Sequence, residues 1–374
     1  MAQKITHWLL ITLVISLGFG QLLRFDLFSI PIYLHDIIVV CFLVLQLPRT
    51  VLKRNSWLQA KKGSTAVERT VLYGTTGISV FLLGLSLGWL RALTLYPLSA
   101  LLTPSLYTFR LLAYLALYFV IKQSKILIPK SYFLISGFLT LTIGLTQYFL
   151  LPDMRVFKYL GWDDHLSRLA LPHFDPTFTA VMLVLFALYS LRQKLFIPAV
   201  LSALAIFLTY SRSVWLSIVF TAIFFIKNKL VLLLVIASML FAIFLLPKRF
   251  GEGTNLLRTY SISSRVQSDL YYIQKYQWDL IIGRGFNTLT LDMETSDRAI
   301  HATGPNNSYL YLLLTAGVLG LIGWGILMFS LYRRSPYKPM LAFLFITSLF
   351  NNVMFYPFAL LWILLIESTA PSAT

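Results

Sequence analysis

Charge is scarce in this chain, and acidic charge is scarcest. Its 374 residues hold 14 aspartates and glutamates against 31 lysines and arginines, 12% charged in all. A soluble domain carries about 25% charged residues because its surface must face water, so a deficit of this size excludes an ordinary soluble globule. Cysteine is nearly absent: Cys41 stands alone in an apolar run, which excludes an intramolecular disulfide and a cysteine-rich metal centre. A convincing small-residue cleavage site is missing after the first apolar stretch, Trp8 to Leu22, which has only Lys4 ahead of it. That stretch is expected to stay as a helix rather than leave as a signal. A strand–turn–helix context is missing around Gly283-Arg284-Gly285-Phe286, so these glycines read as a turn and imply no nucleotide cofactor.

What is present is hydrocarbon. Hydrophobic residues make up 58% of the chain and recur in long runs over its whole length. Spans of ~17–25 apolar residues are what a ~30 Å hydrocarbon slab requires. The expected fold class is all-α: a polytopic transmembrane helical protein forming one membrane domain over 1–374. Candidate spans lie near 8–23, 32–47, 70–90, 95–120, 131–150, 175–191, 195–209, 212–226, 229–246, 306–331, 338–350 and 352–367. About twelve is the expected number, with ten or eleven as alternatives.

The net charge of +17 suits either a nucleic-acid surface or topology anchors, and its distribution decides for the second. With the N-terminus inside, the cytoplasmic segments hold basic residues from Lys4 through Arg49, Lys53 and Arg54 to Arg333, Arg334 and Lys338, with only Glu68 and Glu367 as acids. Short loops alternate basic and mixed, as the positive-inside rule requires. Both termini are therefore expected in the cytoplasm, and no nucleic-acid partner is expected. Two outer segments are long: 151–176, and 247–305 before the tenth span. Within the second, Ser263 to Tyr276 reads as an amphipathic helix capped by Ser263 or Ser264, with Val266, Leu270 and Ile273 on its apolar side.

The residues able to carry chemistry sit on that outer side. Arg212, in Thr209-Tyr210-Ser211-Arg212-Ser213, is either a snorkelling arginine in a tight turn or an anion clamp assisted by neighbouring hydroxyls such as Ser211. Arg258 and Arg265 are seven residues apart and could share a helix face, with Arg284 joining after the turn; scattered balancing charges are the simpler reading. Asp36 would mark the outer end of the second helix, paired with Arg24 or His35. Asp163, Asp164 and Asp175 lack regular ligand spacing, so no metal site is expected. His301, His173 and, more weakly, His165 are the outer candidates for a general base. Asn306-Asn307-Ser308-Tyr309 opens the tenth span as a cap, ahead of Gly317 and Gly320, which would permit close helix packing.

Taken in order, these segments resemble the O-antigen ligase and polymerase superfamily of bacterial surface-polysaccharide assembly. The likeness rests on Tyr33-Leu34-His35-Asp36, Arg168 through Pro176, Thr209 through Trp215, and Ser264-Arg265 with Trp278 and Gly283 through Phe286. Asn306 through Leu310 and Ala316 through Gly320 complete it. The resemblance implies metal-independent, inverting glycosyl transfer at the outer face of the bacterial cytoplasmic membrane. The donor would be a glycan on undecaprenyl pyrophosphate, and the acceptor a lipid, glycan or protein hydroxyl, alongside polysaccharide-assembly proteins. It implies that Arg212 and Arg265, with Arg258, hold the pyrophosphate, and that Asn306, Asn307 and Tyr309 align sugars. Arg168, Asp36, Ser211 and Arg284 complete the implied substrate site.

One departure stands out: the family's usual histidine before asparagine or serine is Asn306 here, and asparagine cannot take a proton near neutral pH. His301 would then be the substitute base, or leaving-group stabilisation would carry the reaction. Ligase and polymerase activity remain alternatives, as does a non-catalytic transporter or scaffold for lipid-linked glycans.

Overall fold

The computed structural model describes residues 2–27, 30–57, 65–124, 126–247, 252–257, 259–293 and 304–369. Leucine, isoleucine, phenylalanine and alanine dominate its long segments, and in hydrocarbon a backbone must satisfy its own hydrogen bonds, so these segments coil. In chain order the helices are α1 (Ala2–Leu17), α2 (Leu34–Trp57), α3 (Thr65–Leu95), α4 (Leu102–Ser124), α5 (Lys130–Leu150), α6 (Pro176–Arg192) and α7 (Phe196–Leu208). They continue with α8 (Arg212–Phe225), α9 (Lys229–Leu245), α10 (Tyr260–Lys275), α11 (Asp279–Ile282), α12 (Ser308–Arg334), α13 (Lys338–Thr347) and α14 (Pro357–Thr369). The chain is a membrane-embedded, mostly helical protein. Four helices among the described residues are long and apolar enough to cross a bilayer, within α3, α4, α5 and α12, and eight shorter ones are apolar too.

Polar residues set several of the helix starts. Asp175 accepts from the amides of Thr177 (2.6 Å) and Phe178 (2.9 Å) to open α6, with Pro176 in the first turn. Asn228 and Asn307 cap α9 and α12 in the same way. Two expected boundaries move. The first helix stops at Leu17 rather than near 23, and the chain folds into an antiparallel hairpin of β1 (Arg24–Leu27) and β2 (Ile30–Tyr33), with Arg24 opposite Tyr33. The alternation of Phe25 and Asp26, and the proline in Ile30-Pro31-Ile32, suit a short edge hairpin better than a span. The loop helix α10 begins at Tyr260, so neither Ser263 nor Ser264 caps it.

Burial ranks the helices. Every residue from Phe358 to Ser368 of α14 is buried, and α6 is nearly as enclosed, whereas α9 buries only Ala242. A helix that is apolar all round and packed all round forms the centre of the bundle. Hydrogen bonds then define two ends. At one, Gln21 N donates to Pro172 O (2.9 Å), Leu169 N to Leu208 O (2.9 Å), and Ser308 N to Ser348 O (2.9 Å). At the other, Lys122 Nζ donates to Glu367 O (3.2 Å), and the Ser335 hydroxyl donates to the Glu367 carboxylate. The hairpin, α10, α11 and the 151–175 segment all belong to the first, loop-bearing end.

The tenth expected span is not one continuous helix. Gly317 has φ +70° and ψ −173°, so α12 breaks there. A continuous helix would bond the carbonyls of Leu314 and Thr315 to residues 318 and 319. Here the amides of Arg284 and Gly285 fill them, each at 2.9 Å. The turn after α11 is thus docked into the break. Gly317 was expected only to allow close packing; it allows a left-handed residue that others adopt with strain. Gly320 keeps the expected role, lying backbone to backbone against Gly84 of α3.

Candidate functional site

The loop-bearing end gathers several segments around one turn, Phe350–Asn352, between α13 and α14. Asn351 Nδ2 donates to Ser213 Oγ (2.8 Å) in the first turn of α8, and Arg265 Nη1 of α10 donates to the Phe350 carbonyl (3.1 Å). Ser308 Oγ at the start of α12 donates to the Asn351 carbonyl (3.1 Å). Ser211 Oγ lies 3.3 Å from Thr177 Oγ1 at the head of α6. Residues 34 to 138 positions apart in sequence therefore meet at this end, because α6, α8, α12 and α14 all begin there.

The expected site residues among the described ones each have a definite position. Arg212 donates Nη1 to the Leu256 carbonyl (3.2 Å). Arg265 has Asp269 one turn along α10, whose carboxyl burial pushes up despite the nearby guanidinium. Asn306 is exposed just ahead of α12, while Asn307 spends its side-chain oxygen on the amides of Tyr309 (2.9 Å) and Leu310 (3.2 Å). The Tyr309 hydroxyl donates to the Phe345 carbonyl (2.9 Å), which ties it to α13. Arg168 is buried and donates Nε to the Thr209 carbonyl (3.0 Å), bracing the turn before α8. Arg258 and His301 lie outside the described residues.

Arg284 corrects its expected role as an anion ligand. It donates to Asp279 (2.6 Å), Asp292 (2.8 Å) and the Tyr96 hydroxyl (2.8 Å), and its guanidinium stacks 4.5 Å from the Tyr276 ring centroid. Two carboxylates already balance it, so this arginine anchors the loop to α3 instead of offering net charge to a ligand.

Asp36 also differs from expectation. Its partner is neither Arg24 nor chiefly His35, which is 3.7 Å away, but Arg110 of α4 at 2.7 Å. Tyr114 Oη (2.6 Å) and the Tyr33 amide (3.1 Å) donate to the same carboxylate. Arg24 pairs with Asp26 instead.

This cluster forms one wall of a cavity of about 440 Å³ that sequence reasoning did not find. Its aromatic lining comes from the loop-bearing ends of several helices, including Tyr33, Tyr107, Trp162, Phe178 and Tyr356. Trp162 stacks on Phe174 (4.6 Å) and Phe178 on Tyr356 (4.0 Å). Gln21, Arg110, His173, Asp175 and Asn287 add polar atoms, and Asn352 joins the cavity to the Phe350–Asn352 turn. The available signal was an aromatic residue near that end of α2, α4, α6 and α14.

His173 sits in this wall, 1% exposed, with Nδ1 2.9 Å from the Tyr356 hydroxyl. Burial, reinforced by His35, lowers its pKa from 6.5 to about 3, so the ring is neutral at physiological pH. A neutral imidazole accepts or donates one hydrogen bond at each nitrogen, which suits holding a hydroxyl. The fold also does what the irregular acidic spacing did not suggest. Asp163, His165 and Asp175 bring their ligand-type atoms within 4.8 Å of one another at the edge of the cavity, although one Asp175 oxygen is committed to capping α6.

No protein-family model matches the chain, and no curated protein matches it.

Proposed function

We propose that the protein transfers a glycan from an undecaprenyl-pyrophosphate carrier to an acceptor hydroxyl, at the outer face of a bacterial cytoplasmic membrane crossed about twelve times. What supports the reading most is the convergence at the loop-bearing end. Ser211 through Ser213, Arg265 and Asn306 through Ser308, the segments that resemble the ligase and polymerase superfamily, meet at one turn beside a cavity lined with rings and polar groups. Arg212 and Arg265 hold the pyrophosphate and stabilise the charge that develops on it as its bond to the sugar breaks. A diphosphate leaves as a stabilised anion, so the step needs donors placed around the leaving group more than it needs a strong acid. The outer loop helix α10 carries Arg265 and turns exposed Val266 and Leu270 outward, where they rest against the membrane surface.

The reaction needs neither a metal nor a cofactor. Its acceptor is a lipid, glycan or protein hydroxyl, and a repeat-unit polymerase would use a second lipid-linked glycan in that place. The test is reconstitution: purified protein in liposomes with undecaprenyl-pyrophosphate oligosaccharide and candidate acceptors, followed by mass. Acceptors heavier by the glycan, with release of undecaprenyl pyrophosphate, are expected; an unchanged donor with every acceptor class would leave transport or scaffolding as the activity.

A further inference from the structure

The end of the bundle away from the loops holds a second cavity, of about 560 Å³, between α6, α7, α8, α9 and the start of α13. Its depth follows from α6, where both Val184 and Arg192 line it: eight residues of helix rise about 12 Å. The wall is hydrocarbon, from residues such as Leu188, Ala203, Ile218, Met239 and Phe343. Its threonine and serine are spent on their own helices, Thr221 on the Ser217 carbonyl (2.7 Å) and Ser238 on the Val235 carbonyl (2.8 Å). Water would find few partners inside, and an empty space would forfeit the packing that holds helices together in lipid. The interior calls for an alkyl chain.

The mouth calls for something else. Arg192 closes α6 and lines the cavity, Lys227 directly follows the lining residue Ile226, and Lys338 stands between the lining residues Tyr337 and Pro339. Three separate segments thus each bring an exposed base to one rim. None of the three forms a salt bridge among the described residues. Glu367, at the same end, does not offset them, because it is buried and accepts from the Ser335 hydroxyl. Bases at a membrane boundary often snorkel into water alone. These three differ in surrounding the opening of an apolar shaft, and basic clefts between membrane helices suit anionic lipid headgroups.

We propose that this cavity holds an acyl chain of an anionic glycerophospholipid, with its phosphate among Arg192, Lys227 and Lys338. The lipid comes from the leaflet at this end. Arg192 stands about 24 Å along α6 from Pro176, so the site is separate from the loop-bearing end and from any lipid carrier bound there. The bound chain also completes the packing of α9, which lines the cavity with Val235, Ser238 and Met239 yet buries only Ala242 within the protein. Nothing in this inference depends on glycan transfer, and it is read without turnover.

The experiment is native mass spectrometry of the full chain in micelles containing phosphatidylglycerol and phosphatidylcholine with identical acyl chains. One phosphatidylglycerol is expected to stay bound at collision energies that strip phosphatidylcholine. Ala203→Phe puts a ring into the cavity from an exposed position on α7 and is expected to abolish that retained adduct. Ala237→Phe, exposed on α9 and outside the lining, is expected to keep it. Arg192→Gln, a surface change, is expected to weaken binding about fivefold, the scale of one base near an anionic head. Lys130→Gln removes an exposed base that starts α5 at the same end but lies outside the cavity, and it is expected to change nothing. Equal retention of phosphatidylcholine, an adduct that survives Ala203→Phe, or equal losses in Arg192→Gln and Lys130→Gln would overturn the proposal. Displacement of the bound phosphatidylglycerol by equimolar undecaprenyl monophosphate would also overturn it, by giving the cavity to a polyprenyl chain.

Discussion

The Asp36 carboxylate and the Arg110 guanidinium meet at 2.7 Å, joining the start of α2 to α4 beneath the cavity. Both side chains are largely buried, at 15% and 12% exposure, and the guanidinium lies 4.9 Å from the ring centroids of both Tyr33 and Tyr107. Breaking a buried pair by removing one partner leaves an uncompensated charge, at about 3–5 kcal/mol. Asp36→Asn and Arg110→Met are each expected to lower thermal stability in detergent sharply. The double variant is expected to recover a good part of the loss, because the two sites are in contact and couple. Thermal unfolding of the four proteins of the cycle measures this; simple additivity would remove the pair from the architecture.

Gly317 offers a second test. Its φ of +70° is strained for any residue with a Cβ, and an added Cβ would press on the backbone of Ile281 and Ile282. Gly317→Ala is expected to cost about 1–3 kcal/mol from backbone strain, and more from displacement of the docked turn. Gly325→Ala, in the same helix with open space around it, is expected to be neutral or slightly stabilising. Comparable unfolding temperatures for the two variants would mean that the break in α12 is not needed.

The buried His173 sets a pH dependence. A base whose pKa falls from 6.5 to about 3 on folding binds fewer protons native than unfolded throughout that window. Its contribution is present above 6.5 and is lost as pH falls toward 3, with a slope of at most ~1.4 kcal/mol per unit. His35 from α2 and Tyr356 before α14 are the groups that face it. His173→Gln is expected to flatten the stability profile between pH 6.5 and 4; an unchanged slope would show that another group titrates there.

Orientation is tested by labelling. In a Cys41→Ser background, Tyr159→Cys and Ser263→Cys stand at the loop-bearing end and Lys338→Cys at the other. A membrane-impermeant maleimide is expected to label the first two in intact spheroplasts and the third only after permeabilisation. The reverse pattern would invert the proposed topology.

Much of this architecture was legible in the residues, for physical reasons. Apolar length alone locates helices near their observed positions, as α5 at Lys130–Leu150 and α9 at Lys229–Leu245 show, because hydrocarbon leaves a backbone few alternatives. The hairpin at Arg24–Tyr33 was not legible, since four-residue strands beside a helix end carry little periodic signal. Nor was the break in α12: Gly317 reads as a packing residue until the amides of Arg284 and Gly285 are seen in its vicinity. At the site, Arg212, Arg265 and Asn306 through Ser308 were individually visible as polar groups near apolar runs. That Ser213, Arg265 and Ser308 adjoin one turn depends on helix packing, which no spacing encodes. Arg284 shows the opposite limit, since its partners Tyr96, Asp279 and Asp292 are fixed by how the loop docks on α3.

The most direct measurement is glycan transfer by reconstituted Arg212→Ala, Arg265→Ala and His301→Ala proteins, each shown to be folded by its detergent size-exclusion profile. Loss of the pyrophosphate clamp is expected to reduce transfer at least ~100-fold in both arginine variants, the scale of removing a donor to a developing anion. His301→Ala is expected to lose activity if that residue replaces the family histidine, and retained activity would remove it from the mechanism. Full transfer in both arginine variants would contradict the assignment of this end of the bundle as a pyrophosphate-binding catalytic site.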